Sequence, residues 1–123
     1  MAARVLVVDD EPVAVELLRE FLLAKGYEVI TAGDGEEALR KVKEERPHLI
    51  LLDVRMPKMD GLEVLRQVKA IDQEVSVIMV TGTNEEEIGR QAMALGAFDY
   101  ITKPVDLPYL EQSLWYKLTM MTL

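Results

Sequence analysis

At 123 residues the chain has the size of one compact domain, long enough to take roughly two-thirds of its unfolded surface out of water. Half of it is apolar and 29% is charged, a globular composition, and the lack of cysteine excludes a disulfide framework, a thiolate metal centre and a cysteine nucleophile. The formal charge of −8, from 22 acidic and 14 basic residues, argues against a nucleic-acid surface and against docking on an anionic membrane.

Met1-Ala-Ala-Arg leads directly into an apolar strand with no signal peptide before it. No apolar run approaches the roughly 20 residues that cross a bilayer, so a soluble, cytoplasmic protein is expected. Val5-Leu6-Val7-Val8 is apolar throughout, as befits a parallel strand buried on both faces, and Asp9-Asp10-Glu11 follows it. Val13, Leu17, Leu18, Phe21 and Leu22 predict one helical stripe, which Gly26 stops. Tyr27-Glu28-Val29-Ile30 alternates, which suits an edge strand, and it ends in Thr31-Ala32-Gly33 without a reactive group. Asp34 and Glu37 stand at capping-box spacing before a second helix through Ala38, Leu39 and Val42, ended by Arg46-Pro47. His48, the single histidine, reads as a surface-loop residue without a chemical role.

Leu49-Ile50-Leu51-Leu52 is again wholly apolar and ends in Asp53. Met56-Pro57-Lys58-Met59-Asp60-Gly61 is a turn by composition, and Leu62, Leu65 and Val68 mark the third helix. The strand Val75-Ser76-Val77-Ile78-Met79-Val80 is followed by Thr81-Gly82-Thr83. Asn84 and Glu87 repeat the capping spacing ahead of Ile88, Ala92, Met93 and Leu95, a helix closed by Gly96. Ala97-Phe98-Asp99-Tyr100-Ile101 leads to Thr102-Lys103-Pro104, and Leu107, Leu110, Leu114 and Leu118 mark a last helix on which Trp115 and Tyr116 are expected to be partly exposed.

Five strand–helix units imply an α/β fold, a doubly wound parallel five-stranded sheet with right-handed crossovers and helices on both faces. No linker interrupts them, so residues 1–123 read as one domain. In such sheets function gathers beyond the carboxyl ends of the strands. There Asp9, Asp10 and Asp53 would meet in one shallow pocket, and so many like charges need protons or cations to coexist. Hard oxygen donors with open positions suit Mg²⁺. With Lys103 and the Thr81 hydroxyl, the set has the parts for phosphoryl transfer to a carboxylate, giving an aspartyl phosphate. Taken singly each residue has a plainer role. The acids could serve a helix N-terminus, Thr81 a turn, Lys103 a solvated surface and Tyr100 half-buried packing. Complementary chemistry at four strand ends at once outweighs four accidents.

Val8-Asp9-Asp10-Glu11-Pro12, the run Asp53 to Gly61, Val80-Thr81-Gly82 and the run Gly96 to Pro104 together resemble the receiver domain of two-component response regulators, over about Arg4 to Leu118. The resemblance implies a flavodoxin-like (βα)5 sheet of strand order 2-1-3-4-5. It implies Asp53 as phosphoacceptor, supplied by a histidine kinase or phosphotransfer protein. Mg²⁺ would be held by Asp10 directly, Asp9 largely through water, Asp53, and the backbone carbonyl of Arg55. Thr81 would bond one phosphoryl oxygen and Lys103 another, Tyr100 would be the switch aromatic, Gly82 would leave room for Thr81 to move, and Lys103-Pro104 would be cis. The last two helices and last strand would be the output face and a homodimer surface, with no direct nucleic acid and no membrane. Arg55 and Thr83 occupy positions linked to phosphoryl lifetime, and the domain would act as a switch without a metabolic substrate.

Three alternatives fit less well. A small aspartate-nucleophile phosphatase usually carries a second acid two residues past its nucleophile, where this chain has Arg55. A flavodoxin-like cofactor carrier needs amides after the first strand, where three acids would repel a phosphate. A pseudo-receiver would lack reactive residues, and here every such position is filled.

Overall fold

The computed structural model describes residues 2–82 and 85–121. The wholly apolar runs form the middle of the sheet, because strands without polar side chains are stable only when both faces are covered. The strands are β1 (Arg4–Val8), β2 (Glu28–Ala32), β3 (Leu49–Leu52), β4 (Ser76–Thr81) and β5 (Asp99–Thr102), all parallel, in the order β2-β1-β3-β4-β5. The alternating β2 lies at one edge, as its pattern predicts, and β5 lies at the other. The helices are α1 (Pro12–Ala24), α2 (Gly35–Glu45), α3 (Gly61–Ile71), α4 (Glu86–Ala94) and α5 (Leu107–Met121).

Successive strand residues point to opposite faces and so build two cores. Leu6, Val8, Ile50, Leu52, Val77 and Met79 pack against α2, α3 and α4 through Val42, Leu65, Val68 and Ala92. Val5, Val7, Leu49, Leu51, Ile78 and Val80 pack against α1 and α5 through Leu18, Leu22, Leu110, Leu114 and Leu118. Each fully buried aliphatic side chain contributes about 2 kcal/mol, more than any single helix cap, so these two layers hold the pocket end of the sheet rigid.

Two expected core positions on α1 are exposed instead: Val13 is 80% and Leu17 54% accessible. The stripe that packs is Val15, Leu18, Phe21 and Leu22. At roughly 100° per residue, Val13 and Leu17 fall on the other side of the helix. On α4 only Ala92 is buried, and Met93 faces outward. The caps behave more closely to expectation. Asp34 Oδ1 accepts the Glu37 N–H at 2.8 Å, and Glu37 Oε1 accepts from the Gly33 N–H, one residue before the cap. Arg46 ends α2 in the left-handed region at φ 50°, just ahead of Pro47. Asp60 caps α3 by accepting the Glu63 N–H at 3.0 Å, a signal that the turn reading passed over. Thr83 and Asn84 lie outside the described residues, so the second capping pair and the position tied to lifetime are not placed.

His48 is more than a loop residue. It is half-buried, its Nδ1 accepts the Arg4 backbone N–H at 2.9 Å, and its own N–H donates to the Arg4 carbonyl. The imidazole thus fastens the amino end of β1 to that of β3, opposite the pocket.

Candidate functional site

Strand register places the two central acids side by side. Val8 pairs with Leu52, and the Asp53 N–H donates to the Val8 carbonyl at 3.0 Å, so Asp9 and Asp53 leave adjacent strands at the same level. Both are almost wholly buried, at 3% and 7% exposure, and Thr81 at the end of β4 is fully buried. Thr102 pairs with Thr81, and the Lys103 N–H donates to the Thr81 carbonyl at 2.8 Å, which swings the lysine over the acids. The Lys103–Pro104 bond is cis, as expected. Among the described residues, nothing beyond its chain neighbours lies within 4 Å of a Cβ position on Gly82.

Lys103 Nζ lies 2.6 Å from Asp9 Oδ2, 3.6 Å from Asp53 Oδ2 and 4.0 Å from Glu11 Oε1. Burial alone would weaken the ammonium's hold on its proton. The Asp9 hydrogen bond and the charges of Asp53, Asp9 and Glu11 together outweigh it, so the Lys103 pKa is raised and the side chain is a cation at neutral pH.

The two buried carboxylates are held differently. Asp9 accepts from Lys103 at 2.6 Å and from the Glu11 N–H at 2.9 Å, which fixes both its oxygens. Among the described residues, Asp53 has only longer contacts, the Arg55 N–H at 3.4 Å and Lys103 at 3.6 Å. A carboxylate whose oxygens are less engaged is the better nucleophile of the pair.

Asp9, Asp10 and Asp53 each offer an oxygen, and these atoms lie within 4.8 Å of one another, with Asp10 open to solvent. An all-oxygen, strongly anionic set with one exposed side fits Mg²⁺, which keeps several waters and binds through few carboxylates. The same crowding gives a testable consequence. Asp10→Asn removes one charge from the cluster, so the metal-free variant is expected to melt a few degrees higher, reflecting about 1 kcal/mol of relieved repulsion. Added Mg²⁺ should raise the melting temperature of the parent chain and much less that of the variant. Equal Mg²⁺ stabilisation of both, by thermal melts, would contradict the assignment.

Tyr100 is half-buried against the core layer of α2, α3 and α4, with its ring beside Gly89. Burial, and next the Glu85 charge, raise its pKa, so the phenol is neutral. It borders a groove of about 400 Å³ with Glu85, Arg90 and Met93. Arg55 matters in more than its backbone. Its guanidinium bonds Glu85 Oε1 at 2.8 Å and so ties the loop after β3 to the start of α4. Two opposite charges in separate loops gave no spacing signal in the chain.

A family model described as the response regulator receiver domain matches residues 5–114. The chain is 48% identical over 104 residues to the alkaline phosphatase synthesis transcriptional regulatory protein PhoP of Bacillus subtilis, covering 85% of this chain and 43% of that protein. It is 38% identical to sporulation initiation phosphotransferase F of the same organism, over 87% of this chain and 86% of the relative. The chain thus spans less than half of PhoP but most of the phosphotransferase. Among solved structures, a CheY-like receiver domain from Methanospirillum hungatei superposes with a TM-score of 0.95 at 32% identity, covering 99% of this chain and 98% of that one. A chain of the CheX–CheY–BeF3–Mg²⁺ complex of Borrelia burgdorferi gives a TM-score of 0.90 at 33% identity, covering 94% of this chain and 89% of its own.

Proposed function

We propose, starting from the fact that this chain belongs to the response regulator receiver domain family, that Asp53 is its phosphoacceptor and that the acidic pocket carries out the transfer. The observation that carries this reading is the contrast between the two buried acids. Among the described residues, Asp9 is held at 2.6 and 2.9 Å, whereas Asp53 is engaged only at 3.4 and 3.6 Å. Receiver domains take phosphoryl groups from histidine kinases or phosphotransfer proteins. In that reaction an Asp53 oxygen would form a bond to phosphorus as the bond from phosphorus to the donor imidazole nitrogen breaks, its electron pair staying on the ring. The Lys103 ammonium, cationic at neutral pH, would pair with one equatorial oxygen, and the Thr81 hydroxyl would donate to another. Asp9, Asp10, Asp53 and the Arg55 carbonyl would hold Mg²⁺, which when bound neutralises charge on the phosphoryl oxygens. Phosphoryl uptake from acetyl phosphate, lost on Asp53→Asn, tests the reading.

The switch follows from new contacts made only in the phosphorylated state. Moving an equilibrium from 1:99 to 99:1 takes about 5.5 kcal/mol of differential interaction. Charge-assisted bonds from Lys103 and Thr81 to a phosphoryl group are of the size needed for a large share of it. Thr81 would move toward the phosphate, and Tyr100 would turn inward behind it, changing the face made by α4, β5 and α5. The phosphatase alternative is not favoured, since Arg55 stands where that reaction needs an acid and its guanidinium is bonded to Glu85.

The exposed Val13 and Leu17, on the helix that starts beside the pocket, supply an apolar contact for the donor protein. Val13→Asp and Leu17→Asp are expected to slow transfer from a phosphorylated histidine donor by about ten-fold each, the equivalent of roughly 1.4 kcal/mol of lost docking. Labelling by acetyl phosphate, which needs no docking protein, should stay at the parent rate. Rapid-quench assays with both donors check this, and equal slowing with both would refute the docking role.

A further inference from the structure

With no cysteine in the chain, its oxidisable sulfur is carried by methionine alone. One of these sulfurs has a structural task. Leu110, Leu114 and Leu118 form the buried stripe of α5, and Met121 continues that stripe at the next helical step and packs on the same core. Facing it is Ser76, the first residue of β4, on the strand face that also carries Ile78 and Val80. Ser76 is 3% exposed, and its hydroxyl donates to Met121 Sδ at 3.3 Å.

A thioether is a weak acceptor, and a buried hydroxyl has little choice of partner. Among the described residues, Met121 holds the one methionine sulfur that accepts a hydrogen bond. The other methionines lack one of the two properties that matter here, access and consequence. Met79 is fully buried inside the sheet, out of reach of a solute. Met93 and Met120 face solvent, where a change at sulfur disturbs no packing. Met56 and Met59 are half-buried, yet among the described residues nothing donates to their sulfurs. Met121 is half-buried, so it can be reached, and its sulfur ties the last turn of α5 to the central sheet.

We infer that Met121 is an oxidation site for peroxides, and that its sulfoxide releases the end of α5 from β4. In the step, a sulfur lone pair attacks a peroxide oxygen, the O–O bond breaks, and the thioether and hydrogen peroxide become a sulfoxide and water. The new oxygen needs space on the sulfur, and the side chain turns from apolar to polar against a core layer. Ser76 cannot give way, since its N–H donates to the His48 carbonyl at 3.2 Å and it pairs with Leu49 in the sheet. The helix end yields instead. This latch lies at the amino end of β4, whereas Thr81 and the acidic pocket lie at the other end, so it stands whichever acid accepts phosphorus.

Hydrogen peroxide, with peptide mass spectrometry and thermal melts on the same samples, tests the inference. Met93 and Met120 should convert first and leave the melting temperature unchanged. As Met121 converts, the parent chain should lose about 5 °C, the size expected for a broken buried hydrogen bond and a polar group in the core. Met120→Leu should follow the parent, whereas Met121→Leu should hold its melting temperature to within about 1 °C under the same treatment. Ser76→Ala makes room for the sulfoxide oxygen, so oxidation should cost that variant about half as much or less, a coupling that simple loss of packing would not give. Methionine sulfoxide reductases with a thiol reductant should restore the parent. Met121 left unconverted after Met93 and Met120 have reacted would overturn the inference. An equal loss in Met121→Leu and the parent would also overturn it, as would the full loss in Ser76→Ala.

Discussion

Asp53→Asn is expected to take up no phosphoryl group from acetyl phosphate and Mg²⁺ under conditions that label the parent chain. The amide nearly matches the carboxylate in shape but offers no anionic oxygen to attack phosphorus. The pocket should otherwise survive, because Lys103 keeps its 2.6 Å bond to Asp9. Stability should be unchanged or slightly raised, since one of two buried acids sharing a single ammonium is removed and its own contacts were long, at 3.4 and 3.6 Å. Intact-protein mass spectrometry reads the label and thermal melts read the fold. Labelling of the variant to the parent level would move the acceptor to another residue, with Asp9 and Asp10 the first to test.

Gly61→Ala should be the most disruptive single methyl in the site. A Cβ there would stand 2.1 Å from the Asp53 carbonyl oxygen and 2.8 Å from both the Asp53 carbonyl carbon and the Val54 Cα. These are backbone atoms and cannot rotate aside. Gly61 opens α3 directly over Asp53, and its N–H donates to the Val54 carbonyl at 2.8 Å, so relief requires the helix to lift off the strand end. Alanine gains at most about 1 kcal/mol in helix propensity over glycine. Overpacking of this kind costs about 1–3 kcal/mol, and a contact this short belongs at the upper end. The melting temperature should fall by about 10 °C, and phosphoryl uptake should slow because Asp53 is displaced. Gly82→Ala is the control: among the described residues nothing beyond its chain neighbours lies within 4 Å of its Cβ position, so its stability should stay within about 0.5 kcal/mol of the parent. A Gly61→Ala chain as stable as Gly82→Ala would contradict the packing described for α3.

The alternation of apolar runs and helical stripes made the parallel α/β class legible, because buried strands and amphipathic helices leave different periods in a chain. The pocket was legible for a related reason. In a parallel sheet all carboxyl ends lie on one side, so Asp9, Asp53, Thr81 and Lys103 had to share it wherever their strands stood. The order of those strands was not readable from pattern. Val5–Val8 and Leu49–Leu52 are apolar on both faces, and nothing in such a run names its neighbours; the family resemblance supplied the order that the sheet has. The error on α1 arose because Val13, Leu17 and Phe21 have helical spacing of their own, and spacing does not say which of two apolar faces packs. His48 and the Arg55–Glu85 pair went unread since each depends on partners more than 25 residues away, brought close only by the fold. The cap at Asp34, by contrast, was written within four residues and was read, whereas the equally local cap at Asp60 fell inside a run taken for a turn.

The central claim is that a carboxylate at the end of the middle strand becomes an acyl phosphate. Borohydride reduction cleaves an acyl phosphate and leaves the aspartate as homoserine, which peptide mass spectrometry can place. After incubation with a phosphoryl donor and Mg²⁺, the account predicts homoserine at position 53 and at neither position 9 nor position 10. Reduction at either of those positions, or phosphate retained on His48 with residue 53 unchanged, would contradict it.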